Sequence, residues 1–71
     1  MELDAKQIGK TVRELRKNNH KFQERFAELI EITPRTVYNI ENGFVMPQLQ
    51  TIVNIAVYCN CSIEDILGIT I

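Results

Sequence analysis

Hydrophobic and polar residues along the chain follow the spacing of short amphipathic helices, and no stretch alternates cleanly like a half-buried strand. The first helix is predicted over residues 5–18, where Ile8, Val12 and Leu15 share one face. Asp4 precedes this segment and is a candidate N-cap. The pattern therefore predicts an all-α protein.

The strongest helix-start signal follows a short second helix, which is predicted over about residues 23–31. Thr33 fits an N-cap and Pro34 fits the first helical position, so a third helix is predicted from there to Asn42. Gly43 provides the left-handed conformation that commonly ends a helix.

Two further helices complete a predicted set of five. The fourth carries apolar residues between positions 49 and 59, and it ends at Asn60, which tolerates left-handed dihedrals. The fifth is capped by Ser62 and ends at Gly68. Because no linker separates these elements, residues 1–71 are expected to form a single domain.

Charge is distributed unevenly, although the composition itself is ordinary. Apolar residues make up 45% of the chain and charged residues 24%, as in other globular domains. All 8 lysines and arginines lie in residues 1–35, and the carboxylates beyond that segment have no basic counterpart. This asymmetry favours a polar partner on one side, although chance segregation in a small protein explains it equally well.

Signals for several other classes of protein are missing from the sequence. No apolar run approaches the roughly 20 residues of a membrane span, and the acidic start is unlike a signal peptide. We therefore expect a cytoplasmic protein with no membrane partner. With no glycine-rich phosphate loop and no nucleophile–base pair, we also expect no enzyme activity and no cofactor. Cys59 and Cys61 have no histidine nearby, so they are expected to be packing residues and not metal ligands.

The second and third helices, joined by a short turn, form a helix-turn-helix candidate over about residues 23–42. Val37 and Ile40 would point to the core. The outward face of the third helix is polar and carries Pro34, Arg35, Tyr38 and Asn39, with Thr36 and Asn42 at its flanks. Arginine can bind guanine, and asparagine adenine, through paired hydrogen bonds in the major groove. The sequence therefore predicts double-stranded DNA as a partner.

An ordered set of motifs between Ile8 and Leu67 resembles the phage repressor and Cro type of helix-turn-helix domain. The matching segments are IGKTVRELR, QERFAELI, ITPRTVYNIENG, PQLQTI and SIEDIL. The resemblance implies a lambda-repressor-like DNA-binding domain of five helices. It also implies a sequence-specific transcription regulator, expected to be a repressor that binds a two-fold symmetric operator through the major groove.

The resemblance further implies roles for single residues. Those nearest the base edges would be Thr33, Pro34, Arg35 and Asn39. Gln23 would hold a phosphate and brace the third helix, while Asn42 and Gly43 would offer main-chain N–H groups to phosphate. Arg16 and Glu41 would form a structural ion pair that fixes the third helix against the first.

Three places depart from the family pattern. Glu31 stands where the turn usually has glycine, so it must adopt a strained left-handed conformation or the turn differs. Phe22 stands where Ser or Thr usually caps the second helix, and we expect it to be half-buried between the first two helices, with an exposed contact residue as the alternative. The loop that is often basic is apolar here and consists of Phe44, Val45 and Met46.

This apolar loop, residues 44–46, has two interpretations. We expect it to pack on the fourth helix, and the alternative is a contact with a protein partner or a second copy of the chain. Phosphate contacts would then come from cations elsewhere. We expect Lys17 and Lys21 to face phosphates, with a plain solvated segment as the alternative.

The end of the chain carries more isoleucine than a small monomer needs. We expect a homodimer through Ile63, Ile66, Ile69 and Ile71. Such a dimer would place two recognition helices about 34 Å apart, one turn of DNA. Two other functions stay open: a protein-interaction module on the same fold, such as an antitoxin or anti-repressor partner, and the DNA-binding fragment of a longer regulator.

Overall fold

The computed structural model describes residues 2–69, which form five α-helices and no strand. The helices are α1 (Ala5–Asn18), α2 (Gln23–Leu29), α3 (Pro34–Glu41), α4 (Leu49–Cys59) and α5 (Ile63–Leu67). The predicted all-α fold is confirmed, and the bounds differ from the prediction by only one or two residues at helix ends. No helix in this range is both long and apolar enough to span a membrane.

Side chains cap the starts of α1, α3 and α5, as the sequence predicted. The Asp4 carboxylate accepts hydrogen bonds from two N–H groups of the first turn of α1, and the Thr33 hydroxyl accepts one in α3. Ser62 and Asp65 form a reciprocal capping box at the start of α5. In contrast, α2 has no side-chain cap, because Phe22 occupies the capping position.

The core lies where all five helices meet, and it is aliphatic except for one phenyl ring. Its members are Ile8, Val12, Phe26, Ala27, Ile30, Val37, Ile40, Ile52, Ile55, Ala56 and Ile66. The helices α1 and α2 both pack against α3, while α5 closes the other side against α1 and α4. The recognition-helix candidate α3 is therefore held on its inner side by the two helices that precede it.

Gly9 allows α1 and α3 to pack closely against each other. This role was not predicted from the sequence. A Cβ at this position would lie 2.1 Å from the carbonyl oxygen of Ile40, which is a backbone atom and cannot move away alone. The two helices therefore approach more closely than any larger residue permits.

One prediction at the fifth helix needs correction. Ile66 has 0% exposure and belongs to the core, so its assignment to a dimer interface is wrong. The reason is that α5 is a short helix turned inward to close the core against α1 and α4. Ile63 and Ile69 are half-buried, and Ile71 lies outside the described residues.

Two further predictions about apolar residues are wrong. Phe22 is 87% exposed and not half-buried. Its extended backbone leads into α2 from outside, while the Arg16 guanidinium fills the adjacent space by donating to the carbonyl of Lys21. Phe44 does not pack on α4; it is exposed, and its ring meets the ring of Tyr38 edge-on at 6.2 Å between centroids.

Candidate nucleic-acid interface

The α3 helix presents two chemically different faces. Val37 and Ile40 point inward and are buried, as predicted. The opposite face leads away from the core and brings Arg35, Tyr38 and Asn39 to the surface, with Asn39 partly covered. At the start of the helix, Thr33 and Pro34 are also exposed and Thr36 is partly buried. The structure thus gathers the predicted outward residues on one continuous surface.

A buried ion pair fixes the C-terminal end of α3. Arg16 Nε lies 2.7 Å from Glu41 Oε2, and Nη2 lies 3.0 Å from Oε1, so the guanidinium binds the carboxylate through two parallel hydrogen bonds. The two side chains are 9% and 2% exposed. This is the ion pair that the resemblance implied. It ties the last residue of α3 to α1.

Two more bonds extend this pair into a network that also holds α2. Gln23 Nε2 donates to Glu41 Oε1 at 3.1 Å, and Arg16 Nη1 donates to the carbonyl oxygen of Lys21 at 2.8 Å. Gln23 therefore braces α3 through Glu41. A side-chain amide carries two N–H donors, so the second donor of Gln23 remains available to an anion.

The turn between α2 and α3 depends on a residue in an unfavourable conformation. Glu31 has a φ of 64°, the left-handed value that the sequence analysis anticipated in place of glycine. The Ile32 N–H donates back to the Ala27 carbonyl at 2.9 Å, which closes the turn. Asn54 of α4 donates to the Ile30 carbonyl at 3.3 Å and so links α4 to the same turn. Sequence reasoning missed Asn54, because its partner is 24 residues away.

The main-chain N–H groups expected to bind phosphate at the end of α3 are already used. The Asn42 N–H donates to the Tyr38 carbonyl at 3.1 Å, and the Gly43 N–H donates to the Ile40 carbonyl at 3.0 Å. The Asn42 side chain also donates to the Tyr38 carbonyl, at 2.8 Å. The predicted phosphate role of these two N–H groups is wrong, because they complete the last turn of the helix. Gly43 is required by its φ of 72° and by its contact with Lys6.

Two lysines lie at the junction of α1 and α2, one in the last turn of α1 and one in the segment that joins the helices. Lys17 is exposed and Lys21 is partly exposed, and within residues 2–69 no carboxylate oxygen lies within 4.0 Å of either amino group. Arg25 differs, because it pairs with Glu28 on the exposed side of α2. The free lysine charges are therefore next to the start of α2.

The two cysteines are half-buried packing residues beside the core. Burial, and to a smaller degree the neighbouring Cys61, raises the pKa of Cys59 to about 11. Burial and then Asp65 also raise the pKa of Cys61. Both thiols stay protonated near neutral pH, which is their unreactive form.

Comparisons with known proteins point to one family. A family model described as helix-turn-helix matches residues 12–66. No curated protein matches the chain significantly by sequence. Among solved structures, the restriction-modification controller protein C.AhdI from Aeromonas hydrophila is 25% identical, with a TM-score of 0.81, and the match covers 89% of this chain and 96% of that one.

Two other solved structures share the fold at lower identity. The SOS-response transcriptional repressor LexA from Eubacterium rectale is 19% identical with a TM-score of 0.84, over 90% of this chain and 68% of that one. The clp gene regulator ClgR from C. glutamicum is 18% identical with a TM-score of 0.80, over 96% of this chain and 88% of that one.

Proposed function

The chain belongs to the helix-turn-helix family and is a DNA-binding transcription regulator, and from that premise we propose how it binds. It reads a specific sequence by placing α3 in the major groove of double-stranded DNA, and it represses transcription by occupying its operator. With its side chains, an α-helix such as α3 is about 10–12 Å across, which matches the width of the major groove.

The proposal rests chiefly on one observation, which is that outer side chains of α3 have no bonding partner within the described chain. Within residues 2–69, the side chains of Arg35 and Asn39 form no hydrogen bond or ion pair, although the inner face of the same helix is fully engaged. Arg35 can bind guanine O6 and N7, and Asn39 can bind adenine N6 and N7. Base recognition therefore costs the fold no existing contact.

Other residues would position the helix without reading sequence. Gln23 has an unused amide donor for a phosphate, and Lys21 adds a positive charge beside it. Residues at the start and side of α3 would line the groove, namely Thr33, Pro34, Thr36 and Tyr38. Because only a few cations lie near α3, we expect the affinity to depend less steeply on salt than in strongly basic domains.

A homodimer would bind a two-fold symmetric operator. Ile63 of α5 and Ile69 just beyond it are only half-buried, so they remain available for a contact between two copies of the chain, whereas Ile66 is not available. Sedimentation equilibrium on the chain and on an Ile63→Ser, Ile69→Ser variant tests this contact. The proposal requires a dimer of the first and a weaker association of the second, and an 8.2 kDa species at tens of micromolar would contradict it.

A protein-interaction function is the second candidate, and the apolar loop favours it. Phe44, Val45 and Met46 are all exposed, and Leu49 continues the surface onto α4. An exposed apolar surface of this kind often binds a protein partner. Under this alternative, changes to Arg35 leave the partner contact intact.

Selection of duplexes from a random DNA library at about 100 mM salt tests the main proposal. We expect an enriched inverted repeat with half-sites about 10 base pairs apart. Arg35→Lys is the sharp variant, because it keeps the charge but loses the paired hydrogen bonds to guanine. It should relax the preference at one base pair per half-site, while Arg35→Ala should also weaken binding. Absence of enrichment, or enrichment unaffected by Arg35, would favour the protein-interaction candidate.

A further inference from the structure

Phe22 is an anomaly that neither the core nor the outer face of α3 explains. It is the most exposed large hydrophobic residue in the described chain, at 87%. It also occupies the N-cap position of α2, where Ser, Thr or Asp would accept a hydrogen bond from the first turn. The residue therefore gives up a stabilising cap and leaves an apolar ring in water, so stability of the free protein provides no reason for it.

The surroundings of Phe22 are cationic. One groove beside the ring is lined by Lys17, His20 and Lys21, together with the paired Arg16. The groove on the other side is lined by Gln23 and Glu24, again with Arg16. Arg16 is neutralised by Glu41, so the free positive charge comes from the two lysines, and Glu24 in the second groove is an opposing charge. A partner that fits Phe22 and the two lysines presents an apolar surface flanked by anions.

The position of Phe22 relative to α3 indicates where such a surface would come from. Its neighbour Gln23 donates to Glu41, the last residue of α3, so the ring lies near the C-terminal end of the recognition helix. An α-helix about 10–12 Å across fills the width of the major groove, so protein surface beside the helix faces the sugar–phosphate backbone at the edge of the groove. Deoxyribose is the apolar part of that backbone, and phosphates lie on both sides of each sugar.

We propose that Phe22 packs on a deoxyribose of the operator strand at the edge of the major groove, while Lys17 and Lys21 contact the adjacent phosphates. This inference rests on the proposed function. The phenyl ring carries no charge, so its contact with the DNA backbone strengthens binding without increasing the salt dependence of the affinity.

Phe22→Ser distinguishes a DNA contact from a structural role, because only a structural role predicts a lower melting temperature for this variant. The serine hydroxyl can cap α2, so the melting temperature should stay the same or rise. Affinity for the selected operator should fall about tenfold, the loss expected when one partly buried phenyl ring is removed. The slope of log affinity against log salt should not change. Phe22→Leu should fall between the two, since it keeps some of the apolar contact.

Two comparison variants make the result specific. Lys21→Gln should also weaken binding but reduce the salt slope by about one phosphate contact. Val57→Ser removes another highly exposed apolar side chain, on α4 and away from α3, and should leave the affinity unchanged. A fluorescence-anisotropy titration at three salt concentrations measures all four variants on the same duplex.

Several outcomes would overturn the inference. Unchanged affinity of Phe22→Ser, with binding still sensitive to Arg35, rejects the Phe22 contact and leaves the proposed function standing. A lower salt slope in Phe22→Ser shows that the ring acts through the lysines. Dissociation of a dimer in Phe22→Ser, seen by sedimentation without DNA, assigns the ring to a second copy. If the unaltered chain selects no duplex, the proposed function and this inference both fail.

Discussion

The inner and outer faces of α3 differ in how much of the rest of the chain depends on them. On the inner face, Val37 and Ile40 fill the core, and Glu41 receives hydrogen bonds from two other helices. On the outer face, Arg35 and Asn39 form no side-chain hydrogen bond within residues 2–69. One helix thus combines a fixed anchor with a surface that the fold does not use.

Different residues of α3 therefore have different tasks. Those of the inner face set the position of the helix, and those of the outer face are available to read the DNA sequence. Residues of the inner face determine the angle and depth at which α3 leaves the body, through an ion pair and a close backbone contact. The outer side chains of Arg35 and Asn39 can change without disturbing that geometry. The comparison predicts that inner-face variants alter the free energy of unfolding, whereas outer-face variants alter DNA binding alone.

Removal of the Glu41 carboxylate should have the largest effect. Glu41→Ala leaves the Arg16 guanidinium buried without its partner, and the free energy of unfolding should fall by about 3–5 kcal/mol. Urea denaturation measures the loss. If the variant does not fold, the double variant Arg16→Met, Glu41→Leu should, because it removes both charges together. A single variant as stable as the parent would show that the network does not anchor α3.

Gly9→Ala should have the next largest effect. The new Cβ would lie 2.1 Å from the Ile40 carbonyl oxygen, so α1 must shift away from α3. Overpacking of this kind costs about 1–3 kcal/mol. Lys10→Ala, at the next and exposed position of the same helix, is the matched control and should change stability by less than about 0.5 kcal/mol. Equal effects of the two variants would mean that the close approach is not required.

Glu31→Gly should stabilise the protein, in contrast to the two changes above. It relieves a left-handed conformation that costs about 1 kcal/mol or more, and the greater freedom of glycine in the unfolded chain offsets part of the gain. The control is Glu14→Gly, in the middle of α1, which should destabilise by about 1 kcal/mol. Thermal and urea unfolding of both variants should show shifts of opposite sign, and a destabilised Glu31→Gly would contradict the strain.

Arg35→Ala should have the smallest effect on stability. Its side chain forms no hydrogen bond or ion pair within residues 2–69, so the free energy of unfolding should change by less than about 0.5 kcal/mol. DNA binding should nevertheless weaken, and the preference at one base pair per half-site should be relaxed. A loss of stability comparable to that of Gly9→Ala would show that the outer face also supports the fold, and the distinction between the faces would not hold.

Features that depend on a few neighbouring residues could be predicted well. The caps at Asp4, Thr33 and Ser62, and the left-handed end at Asn60, all lie where the sequence indicated. Each is a contact between residues no more than four apart, so the signal and its partner lie in the same short segment. The left-handed conformation of Glu31 was one of two outcomes that the comparison with the family pattern left open, and its φ of 64° shows which one is adopted.

Contacts between residues distant in sequence were predicted correctly only where the family pattern supplied the partner. The pairing of Arg16 with Glu41, 25 residues apart, was implied by the resemblance and could not have been worked out from spacing. Where the chain departs from the pattern, as at Phe22, the expected burial was wrong. Gly9 and Asn54 were missed because their partners, Ile40 and Ile30, are distant in sequence.

The sequence by itself determined the five helices, their ends and the polar character of the outer face of α3. These follow from periodicity and capping, which act within one or two turns of a helix. Only the tertiary structure decided that Ile66 is enclosed by the core, that Phe22 is left in water, and that the last N–H groups of α3 are already bonded. Burial and hydrogen-bond availability depend on which other elements cover a residue, and that arrangement exists only when all five helices are packed together.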